Sequence, residues 1–213
     1  TDAAYSSNAY AQYAAGRGVR YTVTNRSASN YNNPRYITLK PKSGAASGAN
    51  RNYYVSHFRG DNGLNVAPAT IRYMVIVYRS SGMNTTTKTD FAGTSMAPLS
   101  VLINRVTNTT TSTETSTWLR YDVSSWTNSS TWTYRVIDLV SIGFSSYYTN
   151  GLSITPNFAN TSAYMDISHV AYFTDTTSAN TYGNQCIEFM KAPGQYISGK
   201  TWNIGNNTAY GML

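Results

Sequence analysis

Ala163-Tyr-Met-Asp-Ile-Ser-His-Val-Ala-Tyr-Phe-Thr-Asp-Thr-Thr-Ser-Ala-Asn-Thr-Tyr182 decides how the chain folds. Met165, Ile167, Ala171 and Phe173 fall at every second position, the repeat of a strand with one face on a core. Thr174-Asp175 then offers a helix N-cap. The polar run that ends at Tyr182 predicts one or two helical turns capping the sheet.

Upstream, the same kind of segment recurs between polar turns. Thr70 to Tyr78 is apolar on both faces and predicts a central strand covered on both sides. Trp132 to Val140 places Ile137 and Leu139 on one face and Trp132, Tyr134 and Val136 on the other, which predicts a second interior strand. Tyr21 to Thr24, Tyr36 to Lys40, Tyr53 to Phe58, Leu99 to Ile103, Thr115 to Val123 and Leu152 to Pro156 read as further strands. Ser80-Ser81-Gly82 opens a mobile loop running to about Ser95, and Ser124 to Thr131 is a hairpin loop with Trp126 near its tip. Strands spaced by polar turns, with almost no helix, predict an all-β sandwich. The expected organisation is an N-terminal arm over 1–20, the β-sandwich domain over 21–183 and a C-terminal ribbon or linker over 184–213. Within that last segment, Gln185 to Met190 reads as a strand.

Three of these segments carry a resemblance. Met165-Asp166-Ile167 with Ala171-Tyr172-Phe173, Trp132-Thr-Tyr134-Arg-Val-Ile137-Asp138-Leu139, and Tyr73-Met-Val-Ile-Val-Tyr-Arg79 resemble the closing, preceding and central strands of a family of extracellular bacterial jelly-roll domains. That family is similar in architecture to galactose-binding-like carbohydrate-binding modules. The resemblance spans roughly residues 36 to 183 and implies a jelly-roll β-sandwich with a short helical turn and a non-catalytic binding or structural role. It is a likeness of fold, and function has to be argued from the site.

Composition narrows the classes of function. Of the 213 residues 41% are apolar, enough for a core, but only 12% are charged against about 25% in ordinary soluble proteins. The surface is therefore built from Ser, Thr, Asn and the 19 tyrosines, a skin suited to sugars or to neighbouring subunits. No apolar run approaches the roughly 18 residues of a membrane-spanning helix, so no membrane partner is expected. No signal peptide is visible and the chain starts without Met, as in a mature secreted protein or an excised fragment. Six Asn-x-Ser/Thr triplets, at Asn25, Asn84, Asn108, Asn128, Asn160 and Asn206, are formal glycan acceptors that the abundance of Asn and Thr also explains.

The net charge of +7 is unevenly spread: Arg17, Arg20, Arg26, Arg35, Lys40, Lys42, Arg51 and Arg59 lie between Ala3 and Gly60, where there is no acid. Such asymmetry favours an anionic partner, with a merely solvated basic face as the bland reading. The absence of a recognised nucleic-acid motif disfavours DNA or RNA. Arg59-Gly-Asp61 matches an adhesion triplet, but an ordinary turn accounts for it.

Enzymatic chemistry finds little support. His57 and His169 are the only histidines, Cys186 is the only cysteine, and no nucleophile elbow, phosphate loop or metal-ligand spacing is present, so neither a catalytic residue, a metal nor a cofactor is expected. Asp122, Asp138 and Asp166 are better explained by turns, edges and pairing with arginines than by a carboxylate dyad. Sugar binding asks for exposed Trp or Tyr rings against C–H faces, with planar polar groups at the rim. Trp118 and Arg120 on one face of a strand, Trp126 on the adjoining loop, and His169 with Tyr172 are the candidate platform; the alternatives are a Trp118 covered by the N-terminal segment and a Trp126 that serves as a lid over the core. The expected function is a non-catalytic carbohydrate-binding module, secreted or at the cell surface, for acidic or cell-wall glycans. The competing reading is a self-assembling subunit of a surface layer, filament or adhesin, joined into homo-oligomers through residues 1–20 and 184–213.

Overall fold

The computed structural model describes residues 21–26, 36–41, 54–57, 64–66, 72–106, 116–144 and 147–191. The N-terminal arm, the Arg-Gly-Asp triplet and the segment beyond Lys191 lie outside the described residues. The strands are β1 (Tyr21–Arg26), β2 (Tyr36–Pro41), β3 (Tyr54–His57), β4 (Leu64–Val66), β5 (Tyr73–Ser81), β6 (Lys88–Thr89), β7 (Ser95–Met96), β8 (Leu99–Val106), β9 (Ser116–Val123), β10 (Ser129–Asp138), β11 (Tyr147–Pro156) and β12 (Tyr164–Phe173), followed by the helix α1 (Thr176–Lys191). The described residues are mostly strands, all paired antiparallel, with one helix, so the protein is all-β in class. Sheet I runs β1-β2-β12-β5-β10, and sheet II runs β3-β11-β8-β9 with β4 also on β11.

One core lies where the two sheets meet. Leu39, Met74, Ile76, Tyr78, Ile137, Met165, Ile167, Val170 and Tyr172 from sheet I pack with Leu99, Val101, Val123 and Ile154 from sheet II. A second apolar cluster lies on the other face of sheet I, where Val75, Val77, Ala171 and Phe173 meet Ala179, Cys186 and Met190 of α1. The described residues therefore form three layers, with sheet I in the middle.

A bulge in β12 makes both clusters possible. Ile167 stands opposite Tyr78 and His169 opposite Val77, so Ser168 is an extra residue in the ladder. A shift of one residue exchanges the faces. Before the bulge Met165 and Ile167 point between the sheets; after it Val170 and Tyr172 do, while Ala171 and Phe173 turn toward the helix. The uninterrupted alternation expected over 165–173 is corrected accordingly: Ala171 and Phe173 are buried, but in the helix layer.

The short helical turn is likewise corrected to a helix of 16 residues. Asp175 caps it as expected, its carboxylate accepting from the Ser178 backbone N–H at 2.7 Å and from the Ser178 hydroxyl at 2.9 Å. The helix passes through Gly183, where a boundary was expected, and contains Gln185–Met190, read from sequence as a strand. Ile187 and Phe189 do alternate locally. Over the longer window, however, Ala179, Tyr182, Gly183, Cys186 and Met190 follow the three-and-four spacing of a helix stripe, and that stripe is what sheet I buries.

Two further expectations are altered. Among the described residues β10 has only β5 as a ladder partner, which makes it an edge strand there, and its bulky faces are explained by the sandwich core on one side and α1 on the other. The loop expected up to Ser95 contains the β6–β7 ribbon, tied to the sandwich by buried Asn157, which donates to Lys88 O at 2.8 Å and Met96 O at 2.7 Å and accepts from Asn84 at 2.9 Å.

The helix–sheet seam is tight at Gly183, where a Cβ would overlap the Tyr134 ring. Gly183→Ala should therefore destabilise the protein by about 1–3 kcal/mol in urea unfolding, as an overpacked seam does, although Ala is intrinsically the better helix former. A Tyr134→Ala background should recover most of that loss. A stabilised single variant would show that α1 does not seat on β10 this closely.

Candidate functional site

The five residues singled out from sequence do not share a surface. Arg120 is exposed on the outer face of sheet II, where its Nε donates to Asp122 at 2.7 Å, and Asp122 also accepts from Ser100 at 2.6 Å. Trp118 lies on the same strand opposite Asn104, with its side chain outside the described residues. Trp126 is not a loop ring offered to a ligand: only 3% exposed, it closes one end of the sandwich with its centroid 4.4 Å from that of Tyr78, and its indole N–H donates to Ser80 at 3.3 Å. Arg135 lies over that indole and donates to the Ser125 carbonyl at 2.5 Å. Tyr172 is fully buried between the sheets because of the Ser168 bulge, and His169 faces α1. A platform of Trp126, His169 and Tyr172 is thus replaced by three packing roles.

The three strand aspartates pair with arginines, one of the explanations open from sequence: Asp138 with Arg72 at 2.9 Å, Asp166 with Arg79 at 2.7 Å and Asp122 with Arg120 at 2.7 Å. Arg72 holds the Asp138 carboxyl below the usual carboxylate range. Asp166 differs from the other two in being buried in the middle of sheet I while its partner reaches the surface.

A different set of residues converges on the outer face of sheet I, beside α1. In the register, Asp166 of β12 lies opposite Thr38 of β2 on one side and Arg79 of β5 on the other. Its carboxylate accepts from the Thr38 hydroxyl at 2.6 Å and from Arg79 Nε at 2.7 Å. So anchored, Arg79 stands 5.1 Å from the Tyr36 ring centre and 5.0 Å from that of Trp132, and the two ring centres are 5.5 Å apart. A second guanidinium N–H donates to the Tyr36 hydroxyl at 3.2 Å. The group is a near-equilateral cluster of one cation and two rings, drawn from three strands and fixed by a buried acid on a fourth.

Next to this cluster the sheet continues toward solvent. Tyr164 pairs with exposed Ser81 and belongs to the same face as Asp166, two residues away. One step beyond the paired Met165 and Leu39, Lys40 and Tyr164 fall at facing positions. Lys40 is exposed, and Tyr36, Arg79, Trp132 and Tyr164 are partly exposed. Partly exposed rings bordered by cations and hydroxyls are what a sugar-binding face requires. Cross-strand register assembles this face from residues up to 128 positions apart, as in the Thr38–Asp166 hydrogen bond, so no local sequence signal marks it.

Under the helix the environment is apolar. The His169 imidazole sits against the Ser168 hydroxyl and the edges of Tyr182 and Phe189; the residue retains some exposure, but burial of the ring pushes its pKa down to about 4. Burial likewise pushes the Cys186 thiol up to about 12, which leaves it a small apolar filler at neutral pH. Among the described residues no group of three or more His, Cys, Asp and Glu is placed to hold a metal ion, and no helix is long and apolar enough to cross a membrane.

No family model matches the chain, and neither curated proteins nor solved structures provide a match.

The His169 site generates a signed pH dependence. Its pKa is near 4 when folded and near 6.5 when unfolded, so between those values the unfolded chain binds the proton more readily. His169 should therefore withdraw stability as pH falls from about 6.5 toward 4, with no further loss from this group below that. In urea unfolding from pH 7.5 to 4.5, His169→Phe should lose distinctly less stability than the parent. Equal losses would mean that the imidazole is solvated.

Proposed function

We propose that the protein is a non-catalytic extracellular carbohydrate-binding module with a jelly-roll sandwich, secreted or held at a cell surface, and that glycan lies across the outer face of sheet I. The resemblance to bacterial jelly-roll domains carries over as part of this proposal. It is supported by the nesting of the ladders, in which β2 pairs β12, β3 pairs β11, β5 pairs β10 and β8 pairs β9. A long hairpin wound so that its arms alternate between two sheets has this order.

The observation that carries the functional reading is the Arg79–Tyr36–Trp132 cluster, locked from below by Asp166 and continued by Tyr164. A sugar ring loses little by leaving water when its C–H face meets an aromatic ring and its hydroxyls meet ready-oriented donors. The Arg79 guanidinium at the cluster, with Ser81 and Lys40 at register positions on either side of Tyr164, offers such donors. Binding here asks for positioning and involves no bond making.

Assembly through the β10 edge is less well served. This edge strand has a register shift between Ser129 and Thr133, and its Arg135 is turned onto Trp126; irregularity and an inward-turned charge both hinder addition of another strand.

Light scattering should find a monomer. A panel of neutral and acidic polysaccharides should contain at least one that changes the tryptophan emission on titration. Tyr164→Ala should weaken that binding roughly 5- to 10-fold, the loss of about one aromatic contact, while leaving the urea midpoint nearly unchanged. Undiminished affinity in the variant, or no binding across the panel, would overturn the assignment.

A further inference from the structure

Resting on the glycan reading above, we propose that the sugar is acidic: a uronate-type residue stacks on Tyr164 and its carboxylate is received by Lys40. Three observations converge on this pairing. The first is the distribution of charge in the chain, which has eight basic residues and no acid between Ala3 and Gly60. The second is topology, because β1 and β2 come from that segment and form the border of sheet I beside the aromatic face. Two residues of the basic segment, Arg26 and Lys40, are thus delivered to the rim of the candidate site. Arg26 takes the position opposite Tyr36, and Lys40 the position facing Tyr164.

The third observation is the local balance of charge. Asp166 is already engaged by Arg79 and Thr38, so that pair is close to neutral and presents no free carboxylate to repel an anion. Lys40 is exposed and has no ion pair among the described residues. The remaining strand acids are committed elsewhere, Asp122 on sheet II and Asp138 to Arg72. Asp175 caps the start of α1, beyond the Phe173 end of β12 and away from Tyr164. Glu188 is exposed on α1, off the buried stripe.

Facing residues on neighbouring strands have Cβ atoms about 4.5–5.5 Å apart, so the long Lys40 side chain can reach the rim of a sugar ring stacked on Tyr164. A carboxylate fixed to that ring then meets the ammonium. A neutral hexose would find the same stacking surface and lack the ionic contact.

The test uses the whole chain with polygalacturonate, alginate and hyaluronate, and with fully methyl-esterified polygalacturonate as the ring-matched uncharged control. Isothermal titration should find at least one uronan bound more tightly than the ester and than neutral polysaccharides, with affinity falling as salt rises. Lys40→Gln should weaken uronan binding about three- to fivefold, the worth of one exposed ion pair, and leave binding to the ester unchanged. Tyr164→Ala should weaken binding to both. Neutral glycan or ester bound as tightly as every uronan would overturn the acidic assignment and leave the glycan reading standing. A full uronan affinity in Lys40→Gln would do the same. Failure to bind any polysaccharide would overturn both. A single-stranded oligonucleotide that outcompetes the uronans at equal charge would replace the sugar with nucleic acid and also overturn the proposal.

Discussion

Sheet I is apolar on both faces along β5 and β12, and a sheet of that kind has to be covered twice. Sheet II covers one face through Met74, Ile76, Ile167 and Tyr172, and α1 covers the other through Val75, Val77, Ala171 and Phe173. Burying a Val, Ile, Leu or Phe side chain is worth about 1.5–3 kcal/mol, so neither layer can be removed without exposing a large part of the driving force for folding. The Ser168 bulge is the device that lets a single strand serve both layers.

The helix layer ends where the apolar residues of sheet I end. Past Val77 on β5 and His169 on β12, the outer face changes to Arg79 and Asp166, then to Ser81 and Tyr164. This change in chemistry divides the face into a dry part that holds the helix and a wet part that holds oriented cations, hydroxyls and rings. Asp166 stands at the boundary: its carboxylate, buried with the sheet, fixes an arginine that reaches the surface. An ion pair of this kind contributes modestly to stability but sets the guanidinium in one place, which is what a binding face needs before ligand arrives.

Much of the sandwich was legible in the sequence because strand periodicity and polar turns are local signals. The double-faced apolar run at Met74–Tyr78 is buried as those signals implied, and Asp122, Asp138 and Asp166 take arginine partners, one of the explanations open from sequence. Ser168 was not legible as a bulge, since one serine in an alternating run carries no mark of being unpaired, and the misassigned faces of Tyr172 and Ala171 follow from it. The helix was shortened because Gln185–Met190 has a strand-like alternation that only the longer stripe from Ala179 overrides. Trp126 was read as a loop ring for ligand or a lid over the core, and its burial depends on Tyr78, which is remote in the chain, and on Arg135 of the following strand. The candidate site was the least legible part, because Tyr36, Arg79, Trp132 and Tyr164 are gathered only by the order β2-β12-β5-β10. What the sequence did disclose was the basic, acid-free first quarter, and the fold brings two of its strands to that face.

The most direct measurement of the central claim is a map of amide chemical-shift changes in the labelled full-length protein, titrated with a uronan hexasaccharide. The account predicts that the changes cluster on the outer face of sheet I, at Thr38–Lys40, Arg79–Ser81, Trp132–Thr133 and Tyr164–Asp166, with β9 around Arg120 and Asp122 silent. A cluster on β9, or on the loop that carries Trp126, with no response at Tyr164 would contradict it.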